Sequence, residues 1–237
     1  MMKRTLIYTI CSALAACLIP AAPAPAQDVA QMMRQKVGAL KQSIAENQQA
    51  LRRYSWVQTT ELSLKGEVKS TKIEQCKYGP DGSVQKTQLS EPQEKKQKRG
   101  LRGKAVAKKT EEMKDYMERA VSLIERYVPP APDKLQAVVT AGKAALSQAG
   151  PGAIQLQFRD YFKSGDALTF TADAAAKTIR QVQVDTWLND AADKVSLTVD
   201  FLTLPDATNY AASKTLNVAA KEIVVKIVSS NYQKLAN

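Results

Sequence analysis

The alternation of apolar and polar residues between positions 153 and 232 predicts a run of antiparallel strands at 153–161, 167–172, 178–188, 194–204, 210–217 and 222–229. In the fourth of these Val195, Leu197, Val199 and Phe201 share one face, while Lys194, Ser196, Thr198 and Asp200 share the other. That period of two belongs to a sheet with one dry face. Ile154, Leu156 and Phe158 repeat it, as do Ile223, Val225 and Ile227. A sheet of this extent needs an apolar cover on its inner face, or it keeps a cavity there.

The preceding chain offers the cover. Between 27 and 51, Val29, Met33, Val37, Leu40, Ile44 and Leu51 recur at helical steps and make one stripe on an N-terminal helix. Residues 53–64 change to β-branched and aromatic types, with Tyr54, Trp56, Leu62 and Leu64 on one face of a strand. Lys65-Gly66 turns that strand into a second at 67–78, and Gly79-Pro80-Asp81-Gly82 leads to a third at 83–89. The pattern then breaks at 91–104 into a basic loop carrying Lys95, Lys96, Lys98, Arg99, Arg102 and Lys104. From about Val106 helical spacing returns in Met113, Tyr116, Met117, Ala120, Val121, Ile124, Tyr127 and Val128. Pro129, Pro130 and Pro132 stop this helix, and Asp133 is placed to cap another running to about Leu146, so that 105–147 is an inserted helix pair. The expected fold is α+β, a single domain over 27–237: a curved, mostly antiparallel sheet of about nine strands, with the N-terminal helix and the helix pair on its concave face.

Composition adds a destination. Lys3 and Arg4, an apolar run to Ile19, and Ala24-Pro25-Ala26 before Gln27 have the form of a secretory signal peptide over 1–26, too short to span a bilayer. Leu14-Ala15-Ala16-Cys17 offers a second reading, a lipoprotein signal ending before Cys17, which would then carry the lipid anchor. An exported, periplasmic protein is expected, or a membrane-anchored lipoprotein in the second case. Outside the leader only Cys76 remains, so no internal disulfide staples the domain and its core must hold it.

Charge and side-chain chemistry narrow the function. The net charge of +11 suits an anionic surface better than nucleic acid, because the basic loop has no interleaved aromatics on which bases could stack. The chain has no histidine, which removes the triads and zinc sites built on that residue. Glu111, Glu112, Asp115 and Glu118 read as a solvated helix face, and Asp185, Asp190 and Asp193 lack the spacing of a calcium loop. No metal, cofactor or catalytic residue is expected, and the protein is read as a non-enzyme.

The helix ending in Leu51-Arg52-Arg53-Tyr54-Ser55-Trp56, the Gly66 hairpin, the inserted helices, and the late strands from Asp185 to Phe201 followed by Leu204-Pro205-Asp206-Ala207-Thr208-Asn209-Tyr210 resemble the family of the periplasmic outer-membrane lipoprotein carrier. The resemblance covers most of the chain after the leader, as topology and pattern. It implies an open half-barrel that holds acyl chains under short helices, with a lipid or lipoprotein acyl chain as partner and the helix pair as lid. It also implies a cavity-facing arginine, but the strand arginines Arg159 and Arg180 both read as solvent-facing. Candidate cavity residues are Trp56, Leu62, Met113, Met117, Val121, Ile124, Trp187, Val199 and Phe201. The alternative is a fully packed interaction module whose basic loop, 92–104, docks an acidic partner or anionic membrane surface.

Overall fold

The computed structural model describes residues 44–89, 101–176 and 178–235 together with 31, 35, 38 and 42, and the side chains of the second helix from 108 onward. Within these the chain forms three α-helices and ten strands: α1 (44–51), β1 (Tyr54–Leu64), β2 (Glu67–Tyr78), β3 (Val84–Gln88), α2 (Leu101–Ile124), α3 (Pro132–Thr140), β4 (Ala144–Gly150), β5 (Ala153–Arg159), β6 (Ala167–Asp173), β7 (Ile179–Trp187), β8 (Lys194–Thr203), β9 (Asn209–Val218) and β10 (Ile223–Lys234). The strands make one curved, unclosed antiparallel sheet in the order β3-β2-β1-β10-β9-β8-β7-β6-β5-β4. First and last strands are neighbours, with Leu64 opposite Ile223. The two edges, β3 and β4, are therefore the strands that flank the helical insertion, so the insertion has to travel from one edge of the sheet to the other.

Local chemistry explains the turns. Lys65 and Gly66 both take left-handed backbone, the geometry of a tight hairpin that follows strand twist. At the end of α3, Gly142 is left-handed, its N–H bonds the Val139 carbonyl and the Lys143 N–H reaches back to Val138. This Schellman closure ends the helix at Thr140.

That stop corrects the sequence reading in one place. Residues 144–150, expected to continue a helix through Leu146, form edge strand β4 instead, which raises the sheet from about nine strands to ten. Ala, Leu and Gln favour helix, but pairing from Ala144 opposite Phe158 to Gly150 opposite Ala153 overrides that propensity. Of the basic positions, Arg102 and Lys104 fall in α2, which starts at Leu101, while Lys95, Lys96, Lys98 and Arg99 lie outside the described residues. Residues 1–30, with Cys17, lie outside them too. Among the described residues no helix is long and apolar enough to cross a membrane.

The core sits between the helical insertion and the centre of the sheet. Tyr116, Ala120, Leu123, Ile124 and Tyr127 follow steps of three and four and bury one side of α2 and its extension; Leu135, Val138 and Val139 do the same for α3. They meet Leu156, Phe158, Leu168, Val184, Val195 and Leu197 from the strands. Each such side chain, fully buried, stabilises the fold by about 1.5–3 kcal/mol before conformational entropy is subtracted.

Two tyrosine-aspartate pairs fasten this layer to strand turns. The Tyr127 hydroxyl, fully buried, donates to Asp166 at 2.5 Å and accepts from Thr186 at 2.8 Å. Asp166 also accepts from the backbone N–H groups of Tyr161 (2.6 Å), Phe162 (3.1 Å) and Lys163 (2.7 Å). Nearer the start of α2 the Tyr116 hydroxyl donates to Asp193, which Asn189 also engages. Burial, with the neighbouring carboxylate second, pushes both tyrosine hydroxyls well above their ordinary pKa. Asp193 is thus occupied by a tyrosine, and among the described residues no acidic cluster is arranged to hold a metal ion.

A third pair closes the start of β1. Tyr54 donates to Asp206 at 2.6 Å across the sheet, and Lys234 stands 3.3 Å from the same carboxylate. The Tyr54 hydrogen bond, followed by those of Thr208 and Lys234, holds the Asp206 carboxyl below the usual carboxylate range. A group with a depressed folded pKa contributes stability above its unfolded value of about 4, and loses it as pH falls through the folded value. Asp206→Asn is therefore expected to be less stable than wild type at neutral pH. The gap should close as pH drops below about 4, read as urea midpoints at stepped pH. Parallel curves at all pH values would contradict this role.

Candidate functional site

The inserted helices do not cover the whole sheet. Beyond them, toward β1, β2 and β3, a partly open hollow of about 390 Å³ remains on the inner face. Its roof is α1, through Ile44, Asn47, Gln48 and Leu51, and the segment Val128-Pro129-Pro130. Its floor and walls come from Trp56, Tyr78, Phe170, Val182, Phe201 and Ile227, with Ala211 at one side. This size lies in the range of small-molecule pockets, about 300–1,000 Å³.

Aromatic packing holds one wall rigid. The Trp56 indole stacks on Tyr232 with centroids 5.6 Å apart and planes 9° from parallel, and Tyr78 lies tilted against it at 5.2 Å. Tyr210 and Tyr54 complete the group around Tyr232, at 4.4 Å and 6.3 Å. Such contacts contribute about 0.5–1.5 kcal/mol each beyond burial and fix ring positions. The roof is tied down at one residue: Asn47 accepts from the Asn209 backbone N–H at 2.6 Å and donates back to its carbonyl. Asn209 is itself buried and bonds the Ile179 carbonyl through Nδ2 at 2.8 Å.

The hollow is not uniformly apolar. Pairing sets Trp56 opposite Cys76 and Cys76 opposite Lys86, so Lys86 reaches inward from edge strand β3. In the same way Val199 faces Lys214 and Lys214 faces Ile227 across three strands, placing a lysine among apolar neighbours. Buried Glu74 pairs with Lys72 at 2.5 Å and with Lys86 at 3.6 Å, and these lysines, Lys72 first, hold its carboxyl below the ordinary range. Lys214 has no such relief: among the described residues no carboxylate lies within 4.0 Å of its ammonium. The side chain is exposed where it borders the open side of the hollow. Burial first, and the nearby Lys86 charge second, push its pKa down from the ordinary lysine value.

Of the expected cavity residues, the structure brings Trp56 and Phe201 to the hollow. The other seven lie elsewhere. Ile124 and Val199 are core residues, and Leu62, Met113 and Met117 pack at the core's margin. Val121 is 42% exposed, while Leu123, absent from the predicted stripe, takes the buried place. Trp187 is capped by the Lys163 ammonium, 3.6 Å above its ring. The helix pair expected as lid is sealed against β5–β9, and α1 occupies the lid position. Arg159 and Arg180 are both exposed, Arg180 pairing with Asp173. Cys76 is fully buried, and burial pushes its thiol pKa up, as expected for an inert side chain. Lys214 was legible in principle: it shares strand parity with buried Leu216 and Val218, a lysine on the apolar face.

No family model matches the chain, and no curated protein matches it. Solved structures similar to it include a DUF1329 family protein from Desulfovibrio piger, at 8% identity and TM-score 0.40, covering 86% of this chain and 92% of the other. Another is a Vibrio parahaemolyticus domain provisionally described as an outer membrane lipoprotein-sorting protein, at 13% identity and TM-score 0.35, covering 82% and 92%. At these values the likeness carries no argument about ligand or activity.

Proposed function

We propose that the protein binds a lipid acyl chain, without chemistry, in the cell envelope, and that the hollow under α1 is the binding site. One observation carries this reading: between α1 and the sheet a partly open hollow of about 390 Å³ remains, walled largely by aromatic and aliphatic side chains. Closing that space would strengthen van der Waals contact, so an apolar hollow left by the fold favours an apolar guest. At about 30 Å³ for a water-sized group, the volume holds on the order of a dozen methylenes. That is one acyl chain of medium length. Burying each methylene contributes about 0.8 kcal/mol, so a dozen contribute roughly 10 kcal/mol, which exceeds the smaller values for the cost of association, about 4 kcal/mol. The envelope location rests on the export signal read in residues 1–26.

The test uses the protein stripped of lipid by organic extraction and refolded, then incubated with phospholipid vesicles that also carry single-chain lysophospholipid and fatty acid, and re-isolated. Mass spectrometry of the re-isolated protein should find lipid at about one chain per molecule. Lipid-free protein after incubation would refute the proposal.

A further inference from the structure

We infer that the hollow selects an anionic amphiphile, its negative head held at the inward-facing pair Lys214 and Lys86 and its single tail lying along Trp56, Phe201 and Ile227. The inference rests on the acyl-chain reading above and adds the chemistry of the head.

Three observations carry it. First, the two lysines come from strands on different sides of the hollow, β3 and β9, yet both line it. Like charges lining one partly open hollow repel, and an anion between them removes that repulsion. Second, the acid available nearby is already committed: Glu74 is shared between Lys72 and Lys86, and Lys214 has no carboxylate partner among the described residues. One cation without a carboxylate partner therefore stands at the open edge of an apolar wall, where a bound anion supplies the missing counter-charge. Third, the cross-strand neighbours of Lys214, Val199 and Ile227, are aliphatic. A head bonded to its ammonium therefore starts its tail directly on the greasy wall. A neutral lipid leaves the lysine uncompensated, and a cationic one adds a third positive charge. The observations fit a carboxylate or a phosphate head, since both are anionic acceptors for an ammonium donor.

The experiment holds the tail fixed and changes the head. Lipid-free full-length protein is titrated calorimetrically with dodecanoate, dodecyl phosphate, dodecanol and dodecyltrimethylammonium, each below its micelle concentration. The expected order places the two anions about 10- to 100-fold tighter than dodecanol, the value of one charge-assisted hydrogen bond. The cation should be weakest. A tighter fit for the phosphate would identify a phospholipid-type head, and for dodecanoate a fatty acid; either supports the inference. Lys214→Met should level dodecanoate with dodecanol, and Lys86→Gln should give part of the same effect. Wild-type protein that binds dodecanol as tightly as dodecanoate overturns the head assignment and leaves chain binding intact. Wild-type protein that binds none of the four overturns both. The head-group series in wild type decides the matter even if a variant fails to fold.

Discussion

Replacing Asp166 by alanine lowers the unfolding free energy by about 3–5 kcal/mol, the largest loss expected from any polar substitution here. The carboxylate is 2% exposed and accepts from three consecutive backbone N–H groups and from Tyr127. Its removal strands those donors in the turn between β5 and β6, and each buried unpaired donor costs about 1–3 kcal/mol, with partial relaxation. Tyr127 keeps Thr186 but loses the acceptor for its own proton. Against a total stability of about 5–15 kcal/mol for a domain, such a loss is severe. Asp166→Asn keeps one acceptor oxygen and should fall between the two. Urea unfolding followed by circular dichroism measures the order. An alanine variant within 1 kcal/mol of wild type, roughly the scale of ordinary surface changes, would show that the turn is held by something else.

The second large effect concerns binding. Ala211→Phe places a ring in the hollow, opposite Phe201 across the sheet. A ring displaces about four tail methylenes, so at about 0.8 kcal/mol each the affinity for dodecanoate falls by roughly a hundredfold or more. Stability should stay within about 1 kcal/mol of wild type, because the ring enters open space rather than a filled core. The exposed position Asn217 on the same strand supplies the control, since Asn217→Phe leaves affinity unchanged. Tight binding by Ala211→Phe would move the chain site away from this hollow.

The sheet is far more legible in the sequence than the site. Alternation in β5, β6 and β8 marks which residues point inward, because one face is dry and a slip of one residue would invert it. Edge strand β4 escaped because Ala144-Ala145-Leu146-Ser147-Gln148 favours helix and becomes a strand through pairing with β5 alone. The position of the hollow was invisible for a different reason. Periodicity identifies inward-facing residues but not which of them a helix will cover. Trp56 and Phe201 face inward and stay uncovered by α2, whereas Val199, two residues from Phe201 on the same strand, is sealed in the core. The exchange of Val121 for Leu123 on the buried side of α2 has the same origin, since the rotation of a helix about its axis is set by the surface it meets.

If the space under α1 takes one acyl chain, Trp56 in its wall reports on it directly. In a Trp187→Phe background, Trp56 is the remaining tryptophan, and titration of lipid-free protein with dodecanoate is followed by its fluorescence. The expected result is a saturable change in intensity and emission wavelength at one equivalent, abolished by Ala211→Phe. Emission that stays constant through saturating dodecanoate would contradict it.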